Sequence, residues 1–327
     1  HAFKNRLEVI FDAYLRNTDN LILPLPLPGY LGTSGNGSIA PPVVNIGGMQ
    51  NKGFGVTVNT VNMNGIFTWK SGLMFSLDRN KLTKLYVETS ILDRSPWFMN
   101  SFIARSVIGQ PVWQYYGYQY AGLFQNYDEL KNSAIPENNR IDAQQGTWVG
   151  DYKFVDVNGD KVINEKDRTF IGSPWPTFSF GLSNTFSYKN FDLSIFMQGN
   201  YGNKIFNYTK YANSNFNNLG RGGLKSLANF AMPSSNSAAD NPKLNNPDAT
   251  APRVAPTDPN GNNRPTDMYI EDGSYLRIKN IQLSYTVPKA YLSKLPIKGV
   301  RVTAGLQNAF TLTKYTGYDP EIGASND

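Results

Sequence analysis

The sequence predicts an all-β chain whose antiparallel strands form part of a transmembrane β-barrel. Three observations predict it. Residues 178–202 alternate apolar and polar side chains through two runs of about 11 positions joined by a two-residue turn, roughly twice the length of a strand in a soluble core. Aromatic residues stand at both ends of each apolar row, as they do where membrane strands cross the two lipid–water interfaces. The connections between strands also segregate by length, short ones on one side and long ones on the other. A long hairpin of a soluble sandwich or barrel shares the alternation, and the loops argue against it.

In chain order, 5–16 alternates first, with Leu7, Val9, Phe11, Ala13 and Leu15 opposite Arg6, Glu8, Asp12 and Arg16. Ile10 and Tyr14 are exceptions on the polar side. The stretch 24–48 is rich in Pro and Gly, lacks periodicity, and reads as loop. Phe54, Val56 and Val58 resume the alternation, and a turn at 62–65 leads to Phe67, Trp69, Leu73, Phe75 and Leu77. From 79 to 176 the pattern loosens, apart from a strand-like aromatic piece at 113–120. In the central hairpin Phe178, Phe180, Leu182, Phe186 and Tyr188 share a face, broken only by Asn184. Lys189 and Asn190 turn the chain, and Phe191, Leu193, Ile195, Met197, Gly199 and Tyr201 return along the same face.

Residues 203–272 form a polar excursion read as an outer loop without regular structure. A strand at 274–288 carries Ile281, Leu283, Tyr285 and Val287 on one face, whereas Leu276 and Ile278 fall on the other, so a bulge is expected near Lys279 and Asn280. The last strand holds Val302, Ala304, Leu306, Phe310 and Leu312 against Arg301, Thr303, Gly305 and Gln307. Seven strands then put the connections 62–65, 189–190 and 289–298 on one side, and 17–52, 79–176 and 203–272 on the other. The count requires any strands within 79–176 to come in pairs.

Composition narrows the function. The 327 residues include no Cys, and the only His is His1. Thiolate metal sites, disulfide frameworks and imidazole-based hydrolysis are thereby disfavoured. Mean hydropathy is −0.40 and no apolar run is long enough for a transmembrane helix, which leaves a membrane barrel open because only alternate residues meet lipid. Net charge is +6, with the basic residues scattered rather than clustered, so nucleic acid is not an expected partner. No nucleophile–base pair or phosphate-binding loop stands out, and no enzyme is expected.

The run Asp272-Gly-Ser-Tyr-Leu-Arg-Ile-Lys-Asn-Ile-Gln-Leu-Ser-Tyr-Thr-Val-Pro288 resembles the C-terminal region of SusC/RagA-type TonB-dependent outer-membrane transporters. So does Gln307-Asn-Ala-Phe-Thr-Leu-Thr-Lys-Tyr-Thr-Gly-Tyr-Asp-Pro-Glu321. Asp156-Val-Asn-Gly-Asp160, then Asp167-Arg168 and Ile171-Gly-Ser-Pro174, is similar to a segment leading into one of the family's strands, and 6–23 and 50–54 match in the same order. The resemblance covers essentially the whole chain, 1–327. It implies a barrel of about 22 strands, an N-terminal plug, a SusD-like surface lipoprotein as partner, and import of glycan or peptide across the bacterial outer membrane with energy relayed by TonB. Nothing here resembles the plug, the TonB box, a signal peptide or a closing strand, so the chain reads as a C-terminal part of the barrel. The competing expectation is a secreted, calcium-stabilised β-sandwich module that binds carbohydrate.

Asp156, Asn158, Asp160, Val162, Asn164 and Asp167 have the 1, 3, 5, 7, 9, 12 spacing of a calcium loop, with Val162 offering its carbonyl. Oxygen donors at alternate positions let a short segment wrap a hard cation. Lys161 stands where Gly usually makes the sharp turn, and a solvated Asx-rich turn accounts for the same residues. Trp97, Trp113, Trp148 and Trp175 lie in the long excursion and are candidates for stacking on substrate, while Trp69 lies on the lipid-facing row. Asp12, Lys70, Arg301 and Gln307 are expected to face the lumen.

Overall fold

The computed structural model describes residues 6–24, 42–85, 91–94, 103–214, 216, 223–255, 257–293 and 296–321. Seven long strands make one antiparallel sheet: β1 (Leu7–Pro24), β2 (Val43–Asn64), β3 (Phe67–Lys84), β4 (Phe178–Tyr188), β5 (Phe191–Tyr201), β6 (Tyr275–Thr286) and β7 (Arg301–Thr313). Each pairs with its neighbours in chain order, β1 to β7, so the sheet is a pure meander. None of the shorter strands between β3 and β4 joins it, and the up–down count holds. Within the described residues β1 and β7 are each hydrogen-bonded along one side only, so the seven strands form an open arc.

Register explains the two faces. Val9, Val58, Leu73, Leu182, Met197, Ile278 and Phe310 pair successively across all seven strands, giving a continuous apolar row. The rings gather at the two ends of this face. Phe11, Phe54, Phe75, Phe178 and Tyr201 form a chain with centroids 5.1–6.1 Å apart toward the long-loop side. Phe67, Trp69 and Phe186 stack at the turn side, where Phe191 also meets Tyr285 at 4.7 Å. Ten steps from Phe178 to Tyr188 at about 3.3 Å each, tilted by about 45°, match a lipid band of about 25 Å. Leu15, Val302 and Leu306 are more than half exposed on this face, as lipid contact requires.

Asn184, the one polar residue on the apolar face of β4, accepts the Trp69 indole N–H at 3.0 Å. An amide in hydrocarbon is costly without a partner, and the pair satisfies one polar group of each residue.

The phase break in β6 is the expected bulge. Against β5, Asn280 pairs with Phe196 and Ile278 with Met197, leaving Lys279 extra. On the other flank Asn280 pairs with Gln307 and Ile278 with Phe310, and Asn308 takes φ 51. The two irregularities return Ile278 to the apolar face and turn Lys279 inward.

Two expectations are corrected. Part of 24–48 is strand, because β1 runs to Pro24 and β2 begins at Val43. Pairs such as Asn17 with Gln50 and Asn51 with Asn80 need no apolar face, since backbone pairing above the lipid is held by its own ladder. The excursion 203–272 also has regular structure: a strand at Lys204–Phe206 pairs with Ile270–Asp272, and helix α1 (Tyr208–Asn213) follows the first of these.

The main buried apolar core lies in the excursions and not under the sheet. Tyr118, Phe124, Leu130, Trp148, Val149 and Tyr152 from the first excursion pack with Ala231 and Leu244 from the second. Asp151 and Arg253 form an ion pair at 3.0 Å inside this layer, and Arg253 also donates to the carbonyl of Gly146 at 2.9 Å. Burial pushes the Asp151 carboxyl up to about 6, against the pull of Arg253, the Trp148 N–H and the Asn262 amide. The β-sandwich expectation fails on this architecture: among the described residues no second sheet covers the apolar face of the first.

Two adjacent residues of β5 test the face assignment. Ile195→Arg places charge on the lipid face near mid-strand and is expected to cost about 2–4 kcal/mol, whereas Ser194→Arg on the polar face costs much less. Heat-modifiability on gels and folded yield in detergent read the difference, and equal losses would contradict the assignment.

Candidate functional site

The polar face carries the groups able to meet a solute. Its hydrogen bonds run between side chains of different strands: Asn59 to Glu8 at 3.0 Å and Ser187 to Asp192 at 2.6 Å between neighbours, and Arg301 of β7 to Asp192 of β5 at 2.9 Å, across β6. Near the long-loop end Tyr14, Gly53 and Asp78 lie in one register row across β1, β2 and β3. The Tyr14 hydroxyl donates to Asp78 at 2.6 Å, passing over Gly53. A Cβ at Gly53 would meet the Tyr14 ring at 2.9 Å and the Leu77 carbonyl at 2.5 Å. This close approach explains both the Gly and the presence of Tyr14 on the polar side.

A second group centres on Arg277 of β6, which is 5% exposed. Its guanidinium donates to Thr311 at 2.8 Å, to Asp319 at 2.5 Å and to Glu321. Glu321 also accepts from Lys279 at 2.7 Å, Gln198 at 2.5 Å and Tyr275 at 3.1 Å. The segment after β7 is thereby folded back onto the inner face of β5 and β6. Arg277, Lys279, Asp319 and Glu321 all stand in the two runs that carry the family resemblance, but their pairing was not legible there. The inward-facing cations at 277 and 279, followed by an Asp-Pro-Glu triplet, are the signal that could have suggested it.

The loop 156–167 folds around its own backbone. Asp156 accepts from Gly159 N at 2.7 Å and Lys161 N at 2.8 Å, and Asp160 accepts from Val162 N at 2.9 Å. Asn158 donates to Asp160 at 2.8 Å, and with the Val162 N–H this holds the Asp160 carboxyl below the usual carboxylate range. Asn164 and Asp167 form a capping box on the short helix Glu165–Asp167, and Asp167, fully buried, also accepts from Val157 N at 3.0 Å. Lys161 takes φ 64, the left-handed turn that a calcium loop needs at this position. Among the described residues, no three His, Cys, Asp or Glu side chains are grouped closely enough to hold a metal. Asp167 thus has a folding role whatever the loop binds.

The tryptophans separate. Trp148 is 2% exposed and donates its indole N–H to the Ser235 carbonyl at 3.1 Å, so it belongs to the core of the loop layer. Trp113 is half-buried at φ 58, its N–H held by Ser106 at 2.8 Å. Trp97 lies outside the described residues. Trp175 is 43% exposed and borders a cavity of about 200 Å³ with Asn51, Ser76, Asn80 and Ser179.

The fold and the sequence are both similar to known proteins. The chain is 34% identical over 331 residues to TonB-dependent receptor P3 of Formosa agariphila, a match covering 99% of this chain and 30% of that protein. It is 28% identical to TonB-dependent receptor SusC of Bacteroides thetaiotaomicron over 97% of this chain and 28% of that one. The RagAB peptide importer in its closed-closed state superposes with a TM-score of 0.70 at 25% identity, over 98% of this chain and 32% of that one. Over nearly its whole length the chain is similar to TonB-dependent receptors of the SusC/RagA type. No family model matches, and the chain spans about a third of the length of the relatives it matches. The likeness of fold extends over 98% of the chain, so its seven-stranded sheet corresponds to strands of the RagAB structure.

Within such a receptor the Arg277 group is a latch between strand and loop. Arg277→Met leaves Asp319 without its guanidinium partner and Glu321 with one cation fewer, a loss of about 3–5 kcal/mol where a buried pair is broken on one side. Hydrogen exchange is expected to rise across 314–321 with β6 and β7 still protected, and unchanged protection would show that the latch is not held by this pair.

Proposed function

We propose that this chain forms part of the barrel of an outer-membrane importer that carries glycan or peptide nutrients inward, together with a SusD-like surface lipoprotein and energy from TonB. The reading is carried by the 34% identity to a TonB-dependent receptor across 99% of the chain. It is supported by an apolar face bounded by two aromatic belts, which fits an outer membrane, and by a polar inner face with side chains able to hydrogen-bond a passing solute. RagAB is a peptide importer and SusC a TonB-dependent receptor, and both glycan and peptide belong to the proposal.

Deleting the full-length gene from its host and following uptake of labelled oligosaccharides and peptides tests it. Loss of uptake of one class, restored by the intact gene and not by a copy lacking 178–201, is the expected result. Undiminished uptake of both classes would overturn the proposal.

The proposal extends to one calcium ion on the loop 156–167. Asp156, Asn158, Asp160, Asn164 and Asp167 would offer side-chain oxygens and Val162 its carbonyl, and a bound cation would neutralise the three carboxylates. The left-handed Lys161 supports it. Saturating calcium is expected to slow hydrogen exchange through 156–164, and chelation to reverse this without loosening β4 or β5. If exchange in the loop ignores calcium, the Asx-turn reading stands alone.

A further inference from the structure

We propose that the cavity beside Trp175 is a carbohydrate subsite, taking one neutral sugar unit of an oligosaccharide at the long-loop rim of the lumen. The inference rests on the importer reading above and names its substrate class.

The cavity sits where the polar face of β2, β3 and β4 meets the loop that precedes β4. Asn51, Ser76, Asn80 and Ser179 line its floor, and Trp175 with Pro176 forms its wall. Ser76 and Ser179 are direct cross-strand partners, as are Asn51 and Asn80, so the floor groups are fixed by the ladder. The wall is fixed as well. The Trp175 indole N–H donates to the Val112 carbonyl at 2.7 Å, and the Val112 N–H donates to the Asn80 side-chain oxygen at 2.8 Å. The backbone of one residue thereby ties the platform to the floor. Arg79 adds a second tie, donating to the carbonyls of Pro176 at 3.2 Å and Thr177 at 3.1 Å.

A preformed site with an aromatic platform and a few placed polar groups is the usual form of a small-ligand pocket. The chemistry of these groups selects the ligand class. Hydroxyl and amide side chains both donate and accept, which matches sugar hydroxyls that do the same. With its oxygen held by Val112, Asn80 presents its amide N–H groups, and the Ser hydroxyls rotate to suit. The charged neighbours are already engaged. Asp78 and Arg79 also line the cavity. Asp78 accepts from Tyr14 at 2.6 Å and Ser76 at 3.2 Å, Arg79 donates to backbone carbonyls, and their opposite charges leave no net charge that favours an ionic ligand. A volume of about 200 Å³ is below that of a drug-sized pocket and suits a single ring. Trp148 lacks this role because its ring is buried in the core.

The test uses the full-length receptor purified in detergent, titrated by calorimetry with short neutral gluco-, manno-, galacto- and xylo-oligosaccharides and with a tryptic peptide pool. At least one oligosaccharide is expected to bind. Trp175→Ala should weaken it by about tenfold or more, Trp175→Phe should retain most of the affinity by keeping a ring, and Asn51→Ala should weaken it a few-fold. Equal outer-membrane levels and heat-modifiability establish that the variants fold. Oligosaccharide affinity unchanged in Trp175→Ala, or no oligosaccharide binding at all, overturns the subsite. Uptake of peptides alone by the intact host leaves the importer reading standing while the subsite falls, and uptake of neither class removes both.

Discussion

A backbone amide inside hydrocarbon has no water to bond, and an unpaired one costs several kcal/mol. The seven-stranded arc follows from that constraint. Every strand from β2 to β6 is bonded on both flanks, and irregularities are admitted only where the ladder survives them. At Lys279 and Asn308 one extra residue on each strand interrupts a few bonds while the rows on either side stay in register. The same constraint governs the side chains. Asn184 is tolerated on the lipid face because the Trp69 indole answers it, and Ser71 and Thr60 in the same register row bond to each other.

With the lipid face committed to lipid, the sheet cannot supply a conventional core, and the loops supply one themselves. The two long excursions are joined by the packing of Trp148, Phe124 and Leu244 and by the buried Asp151–Arg253 pair. Their order has a consequence for binding. Loops that fold on their own core can hold a side chain such as Trp175 in a fixed place against the rim, without waiting for a ligand to order them. The Val112 backbone, bonded through its N–H to the floor and through its carbonyl to the wall, is the local instrument of that order.

The inner face works by different chemistry. Its groups pair across strands in short hydrogen-bonded rows, and the segment after β7 is drawn inward by Arg277 and Lys279. A lumen built this way is polar and crowded near the rim, which suits selection of solutes by hydrogen bonding more than by bulk hydrophobicity. Gly53 shows how finely the rows are fitted, since the Tyr14 ring occupies the space a Cβ would take.

The sequence by itself determined the meander, the two faces, the turn at Lys189 and Asn190, the bulge in β6 and the segregation of loops. It could do so because a strand displays its two faces at period two, and because lipid rewards a strict alternation that can be read residue by residue. Only the tertiary structure decided the rest. It extended β1 and β2 above the lipid, where polar pairs such as Asn51 and Asn80 leave no hydrophobic signal. It buried Trp148 and exposed Trp175, and brought Asp319 and Glu321 to Arg277 across more than forty residues of chain. Contacts of that kind depend on which segments the fold makes neighbours, and periodicity within a segment carries no record of them.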